Sequence, residues 1–352
     1  MAAVRVLVTA VAGASVGESI CTALRHGSRD YELIVTNTSR PPLAAVRAEH
    51  YELLPPASAP DYLASLQVVA AAHDCDFLVP GSEVELARIS RGRESLGGLR
   101  TTPLINSAEV IALCLDKART AEFLVEKGFR TPVSLLPPPD RPVGDLPFAL
   151  PGVIKPAVGG AGSAFVFIAQ TPEEVEFFVG FLARHGYPPL IQEYVGNADQ
   201  EYTVGVLHDP GGQLIGTSVM RRDVYSGLSR RLVVRNLTPR QELGPRLAVS
   251  SGISQGALVR HQPIRERCEE IAARLHSRGP LNIQGRWDGA EFVPFEINPR
   301  FSGTASMRAL AGFNEPELLI EWHLASRRNP SRVEPKTGAF TRSLVEHFVP
   351  GD

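Results

Sequence analysis

The stretch that decides the fold is Leu281–Thr304, LNIQGRWDGAEFVPFEINPRFSGT. Asn282–Trp287 and Glu291–Asn298 alternate like two strands, and Asp288-Gly289 between them is a strong signal for a two-residue hairpin turn. In the second run Glu296, Asn298 and Arg300 recur at every second residue. Extended backbone sends all three to one face and Phe295 and Ile297 to the other. A carboxylate, an amide oxygen and a guanidinium on one face suit a hard cation and a phosphate: Mg²⁺ takes oxygen ligands together with substrate phosphates, and arginine's planar fork matches phosphoryl oxygens. Taken alone, the triplet reads better as an ordinary charged, solvated strand edge, and only its context favours the site.

The register of this hairpin decides whether Gln284 belongs to the same site. A regular Asp288-Gly289 turn pairs Trp287 with Ala290 and sends Gln284 away from Glu296. An odd-length loop or a bulge between Trp287 and Glu296 restores the shared face, and it suits Pro294, which has no ladder donor. The bulge or odd loop is expected.

The rest of the chain gives this stretch its context. The 352 residues suffice for two or three domains, and 43% hydrophobic with 21% charged residues describes a soluble globular chain. A formal net charge of −2 provides no global field for nucleic acid or an anionic membrane. No run reaches transmembrane length and the N-terminus does not read as a secretory signal, so a cytoplasmic protein is expected. Cys21, Cys75, Cys114 and Cys268 are far apart in apolar segments, as buried thiols would be.

Val4–Thr9, Leu33–Asn37 and Asp76–Pro80 read as strands alternating with helices, which predicts a parallel sheet. The turn Gly13–Gly17 lacks a full dinucleotide fingerprint and reads as structural. After the third strand comes Glu83, either a site residue at a strand's carboxyl end or part of a first helical turn capped by Ser82. Ser107–Lys127 reads as one helix, and the proline-rich Pro132–Pro151 as a connector without regular structure. Lys155 ends the strand Val153–Lys155, and Gly159, Gly160, Gly162 and Ser163 form a hairpin loop that can close on phosphates before a second strand, Ala164–Ala169. Leu190–Val195 is a strand, and Glu201 opens the next one as an edge charge or a hydroxyl acceptor. Arg221, Arg222, Arg230, Arg231 and Arg235 cluster around Tyr225–Ser229, which suits an anionic substrate or a solvated strand pair equally. Pro263–Arg278 and Glu317–Ser326 read as helices, and a short strand is expected near Thr341–Val349.

In order and spacing, these pieces resemble the ATP-grasp superfamily, in its carbamoyl-phosphate-synthetase-like branch. The matching residues are Asp116-Lys117, Val153-Ile154-Lys155-Pro156 with the glycine loop, Ile191–Val195, Glu201, and Asn282-Ile283-Gln284 with Glu296–Arg300. The resemblance implies an N-terminal Rossmann-like parallel sheet domain (residues 1–113), then a two-subdomain ATP-grasp fold with a lid subdomain (114–190) and a C-terminal subdomain carrying the metal site (191–352). It implies that Lys117 and Lys155 contact phosphates beneath the glycine lid. Glu193, Tyr194 and Val195 would line the adenine site, with Glu193 and Val195 acting through backbone groups, and Glu201 would hold the ribose. Glu296, Asn298 and, more weakly, Gln284 would hold Mg²⁺ or Mn²⁺, and Arg300 with Lys155 would act on the transferring phosphoryl group. Many relatives have an acid where Gln284 stands. Glu83, Arg230, Arg231, Ser302, Gly303 and Thr304 are the candidate substrate contacts.

The implied reaction is ATP-dependent ligation of a small-molecule carboxylate to an amine through an acyl phosphate. Alternatives are carboxyphosphate chemistry on bicarbonate and a regulatory nucleotide-binding protein without turnover. No nucleic acid or membrane partner is expected, and a homodimer is left open.

Overall fold

The computed structural model describes residues 3–39, 47–94, 96, 100–138, 142–324 and 332–343. Apolar runs buried on both faces build a parallel sheet near the N-terminus. Its strands are β1 (Val4–Val8), β2 (Tyr31–Asn37), β3 (His50–Leu53), β4 (Phe77–Val79) and β5 (Thr102–Pro103), in the order β3-β2-β1-β4-β5. Helices α1 (Val16–Arg25), α2 (Tyr62–Ala72) and α3 (Glu83–Arg91) connect them, followed by α4 (Ala108–Cys114) and α5 (Lys117–Glu126). The expected helix Ser107–Lys127 is therefore two. Asp116 breaks it, because its Oδ1 accepts from the backbone N–H groups of Ala118 and Arg119 and caps α5.

A second sheet has the order β6-β9-β7-β8, from β6 (Ser134–Leu135), β7 (Gly152–Pro156), β8 (Phe167–Ala169) and β9 (Pro189–Glu193), with helix α6 (Pro172–Arg184) against it. The proline-rich connector is not wholly irregular: Ser134 and Leu135 pair with β9. After the glycine loop, the strand begins only at Phe167 instead of Ala164. A short 3₁₀ turn occupies 161–163, and Ser163 and Phe165 hold left-handed φ values of 63° and 59°.

The largest sheet is antiparallel across its width, in the order β16-β15-β10-β11-β14-β17. Its strands are β10 (Glu201–His208), β11 (Leu214–Arg222), β14 (Gly256–Leu258), β15 (Pro280–Trp287), β16 (Phe292–Asn298) and β17 (Gly338–Phe340). A separate ribbon pairs β12 (Arg230–Arg235) with β13 (Arg246–Ser250). Strand alternation splits the large sheet into two faces. Tyr202, Val204, Val206, Leu281 and Ile283 pack with Ile264, Cys268 and Ile271 of helix α7 (Gln262–Arg274). The other face takes Glu201, Thr203, Asn282, Gln284 and Arg286. On that face Gly205 allows Arg308 to lie beneath the sheet; a Cβ there would stand 2.2 Å from its Nη1.

Arg308 belongs to helix α8 (Ala305–Leu310) and forms a wholly buried pair with Glu315, the first residue of helix α9 (Glu315–Leu324). Helix α1 packs on both, and a continuous core runs from Val6 and Leu33 to Phe301 and Phe313. The tail helix thus spans Glu315–Leu324 and the last strand is Gly338–Phe340. Residues 325–326 of the expected helix and 344–349 of the expected strand lie outside the described residues. The four cysteines are buried and unbridged.

Candidate active site

The site is built where the polar face of the large sheet meets the end of β7. The β15–β16 register pairs Trp287 with Phe292, Gly285 with Pro294 and Gln284 with Glu296, with a shift between Gln284 and Gly285. The turn is therefore not at Asp288-Gly289. Asp288 N–H donates to Glu291 O, and Asp288 Oδ1 accepts from the N–H groups of Ala290 and Glu291. This side-chain turn moves the two-residue loop to Gly289-Ala290. Extended without interruption, that register would set Gln284 against Phe295, and Gln284 and Glu296 would face opposite ways. The extra residue, Phe295, makes the expected bulge and brings Gln284 and Glu296 face to face. Asn282 and Asn298 pair two residues further along.

The bulge also exposes Phe295 to Lys155. Its carbonyl accepts from Lys155 Nζ at 3.3 Å and its ring centroid lies 5.8 Å from that nitrogen. Gln192 Oε1 accepts a second bond at 2.7 Å. Burial pushes the Lys155 ammonium down from its ordinary value of 10.5 to about 8, partly offset by the charge of Glu296. Lys117 Nζ donates to Gly159 O at 2.9 Å and ties the glycine loop to the start of α5.

Lys155, Ser163, Gln192–Val195, Glu201, Gln284 and Glu296 surround a cavity of about 570 Å³. Glu193 N–H donates to Val133 O and Val195 O accepts from Arg286. The Tyr194 ring lies under the Arg286 guanidinium at 4.4 Å, and its hydroxyl exchanges hydrogen bonds with Ala248 N–H and O. Glu201 is neither an edge charge nor free. Its Oε2 accepts from Arg286 Nε and Nη2 at 3.2 and 3.0 Å, and Arg222 Nη1 is 3.2 Å from its Oε1 without a well-directed hydrogen bond.

Ser163, Gln284 and Glu296 also line a second cavity of about 1340 Å³. Its walls come from several sheets and the loops between them: the start of α1, Gly81–Glu83, Gly162, the loop Ser251–Ser254, Asn298, Arg300, Ser302 and Gly303. Glu83 lines this cavity at the start of a helix. It opens α3 behind the Ser82 cap, and it accepts from Arg300 Nη2 at 2.6 Å. Arg300 also donates to Asn298 Oδ1 at 3.3 Å. Thr304 is set behind this wall, bonded to Ser302. Arg230 and Arg231 do not join the site; both are exposed on β12, and only Arg222 of the cluster turns inward.

Glu296, Gln284 and Asn298 bring three oxygen donors to one place, a set that fits a hard cation. Asn298 Nδ2 is buried with no partner among the described residues, a sign that its amide is oriented for something beyond the protein. With one carboxylate and two amides, the set differs from an acidic metal cluster; among the described residues no group of three His, Cys, Asp or Glu is placed to hold a metal. Arg286 went unassigned in the sequence although it continues the every-second-residue series of Asn282 and Gln284. Arg222 and Ser251–Ser254 carry no comparable periodic signal.

Comparison with known proteins agrees with this architecture. Residues 187–346 match the family model described as ATP-grasp in the biosynthetic pathway with Ter operon. That match covers less than half of the chain, and over it the chain is similar to this ATP-grasp family. Among solved structures, the L-amino acid ligase from Bacillus licheniformis superposes with a TM-score of 0.63 at 14% identity, covering 91% of this chain and 74% of that one. N5-carboxyaminoimidazole synthetase from Staphylococcus aureus, solved with ADP, gives 0.63 at 14% identity over 96% of this chain and 80% of that one. The arginine-specific carbamoyl phosphate synthase large chain of Bacillus subtilis is 26% identical over 159 residues, 44% of this chain and only 13% of that one. The chain thus shares its fold with ligases and carboxylases alike.

Proposed function

We propose that the protein is an ATP-dependent carboxylate–amine ligase that works through an acyl phosphate on small molecules in the cytoplasm. The observation that carries this reading is the junction of the two cavities. Ser163, Gln284 and Glu296 line both, so the phosphate end of a nucleotide in the smaller cavity would meet a substrate in the larger one.

In the smaller cavity, the Glu193 carbonyl and Val195 N–H meet the adenine edge and Glu201 the ribose. Lys155, Lys117 and the glycine loop contact the phosphates, and Arg300 faces the transferring group. The substrate carboxylate attacks the γ-phosphorus, ADP leaves, and the carboxyl carbon gains phosphate as a leaving group. The amine then attacks that carbon, loses a proton, and releases phosphate. The chain's contribution is positioning and charge: three cationic side chains aimed at a loose phosphoryl transition state. Glu296 and Asn298 are the residues that would hold Mg²⁺, which would add charge neutralisation on the phosphoryl oxygens. Of the acids lining the larger cavity, Glu83 is placed to take the ammonium form of the amine.

ADP release from Mg-ATP, screened over panels of carboxylates and amines, tests the reading. The expected result is release that requires both, with ¹⁸O from a labelled carboxylate appearing in the phosphate. Release that requires bicarbonate instead of an organic carboxylate would transfer the site to carboxyphosphate chemistry, a reading favoured by the biotin carboxylase and the N5-carboxyaminoimidazole synthetase among the structural relatives.

A further inference from the structure

A separate cavity of about 1070 Å³ opens on the α7 face of the large sheet, and none of its lining residues belongs to the active-site cavities. It forms because the tail changes partner. Val333 N–H donates to Ile215 O of β11, and by Gly338 the tail has moved on to pair with Leu258 of β14. Residues 334–337 arch across the gap, and Pro335, without a ladder donor, keeps them off the strand. The floor is β11, where Thr217 pairs with Val206 and so faces the α7 side. Thr217 is 2% exposed and its Oγ1 has no partner among the described residues, although a buried hydroxyl ordinarily finds one.

The charges around this cavity divide into bonded and free. Arg265 and Arg332 are both matched, by Glu269 and Glu334. The bond from Arg265, with smaller help from the charges of Arg332 and Arg260, holds the Glu334 carboxyl below its ordinary value. Glu266 accepts from Gln262 along the helix. His261 is no cation here: its Nδ1 accepts from Ile264 N–H, and burial pushes its pKa down. With that N–H taken and Pro263 lacking one, the end of α7 adds little for an anion. Arg260 and Lys336 are left, both exposed on the wall, with no side-chain hydrogen bond or ion pair among the described residues. Arg260, Arg265, Arg332 and Lys336 stand against Glu266, Glu269 and Glu334, so the neighbourhood is net positive.

We propose that this cavity is a second anion site, outside the ATP site, that takes the phosphoryl group of a small phosphorylated molecule. Arg260 and Lys336 supply a guanidinium fork and an ammonium, donors that match a phosphate dianion, and the Thr217 hydroxyl supplies a third. Val219, Leu258 and Pro335 give the organic part of the molecule an apolar surface. The proposal does not depend on the ATP reading.

The test uses the whole chain with Mg²⁺ and the non-hydrolysable analogue AMP-PNP in excess, so that the ATP site is filled. Calorimetry and ³¹P NMR then follow two probes, inorganic phosphate and glycerol 3-phosphate. One saturable equivalent per chain is expected for each, with glycerol 3-phosphate the tighter. Arg260→Ser combined with Lys336→Ser, at two exposed positions, should weaken both probes roughly 10–100-fold, as loss of charged hydrogen bonds would. Thr217→Val keeps the shape and removes only the hydroxyl, so it should weaken both roughly tenfold without loss of thermal stability. AMP-PNP affinity should be that of the wild type in every variant. No saturable binding in the presence of AMP-PNP, or unchanged probe affinity in the double variant or in Thr217→Val, would overturn the proposal. Inorganic phosphate binding as tightly as glycerol 3-phosphate would overturn it too, because the apolar wall would then take no part. If AMP-PNP itself fails to bind, the ATP reading falls, and the same variants still decide the second site.

Discussion

The two cavities share a wall but are built differently. The smaller is lined mainly by strand residues of β7, β9, β10, β13, β15 and β16. The larger draws on the first turn of α1, the approach to α3, the glycine loop and the Ser251–Ser254 loop, with only one wall from the sheet. A strand fixes the direction of every second side chain, so the smaller cavity has little freedom once the register is set. The larger depends on how three sheets are brought together, and its chemistry can change with its loops while the phosphate end stays as it is. Substitutions should therefore divide by cavity: those on the strands abolish turnover, and those on the loops change which substrate is used.

The largest effect is expected at the two inferred phosphate contacts, one in the wall of each cavity. Lys155→Ala and Arg300→Ala should each lower the rate of ADP release by roughly 10³-fold, the scale of losing a charge that acts in the transition state. Circular dichroism and thermal unfolding should show the fold retained. Near-normal release by either variant would remove that residue from the phosphoryl site.

The support beneath the larger cavity comes next. Arg308 donates to Glu315 at 3.0 and 3.1 Å and to Asn282 Oδ1 at 2.8 Å, all buried. Arg308→Met leaves a buried carboxylate without its partner, so stability should fall by about 3–5 kcal/mol, read from urea unfolding. A loss below about 1 kcal/mol would mean that Glu315 is neutral in the fold, the direction in which burial already pushes its pKa.

Glu83 probes the larger cavity through its bond to Arg300. Glu83→Gln removes the charge beside Arg300 and should raise the amine KM by roughly 10–100-fold, the range for a charge-assisted hydrogen bond. ATP affinity should stay near wild type. Equal changes for ATP and amine would show that Glu83 acts only by holding Arg300.

A pH profile separates the cavities without mutation. Lys155 titrates near 8 in the folded protein and at 10.5 ordinarily, so the charged form is lost as pH rises through about 8. kcat/KM for ATP should fall above that pH by tenfold per unit at most, while the limb in kcat moves upward because bound phosphates favour the ammonium. Between 8 and 10.5 the unfolded chain binds the extra proton, so this residue makes stability rise with pH in that window. An alkaline limb that remains near 8 in kcat would separate Lys155 from the phosphates.

The same contrast sets what could be read from the sequence. Glu296, Asn298 and Arg300 were legible because one strand period relates them, and the bulge followed from asking how Gln284 could join them. The position of the turn was not, because Asp288 uses its side chain to bond Ala290 and Glu291 and so displaces the loop by one residue. The break between α4 and α5 was hidden for a similar reason: Asp116 in a helical pattern looks like half of an ion pair until its carboxylate is seen capping α5. Nothing local marks Ser251–Ser254, or the first turn of α1, as cavity wall; tertiary contacts put them there.

The smallest effect is expected where the sequence signal was loudest. Five arginines between 221 and 235 suggested an anion site, yet their fates divide by strand face and strand end. Arg222 is the last residue of β11 and pairs by register with the inner face, beside Glu201. Arg230 and Arg231 begin β12 at a register shift against β13, exposed to solvent and outside both cavity walls. Exposed charges are well hydrated, and losing one changes little. Arg230→Ala and Arg231→Ala should therefore change KM for ATP, carboxylate and amine by less than about twofold, at low and at physiological salt. A rise in KM for one substrate that disappears at high salt would mean that the β12–β13 ribbon steers an anion toward the larger cavity, and that this cavity extends beyond the walls seen here.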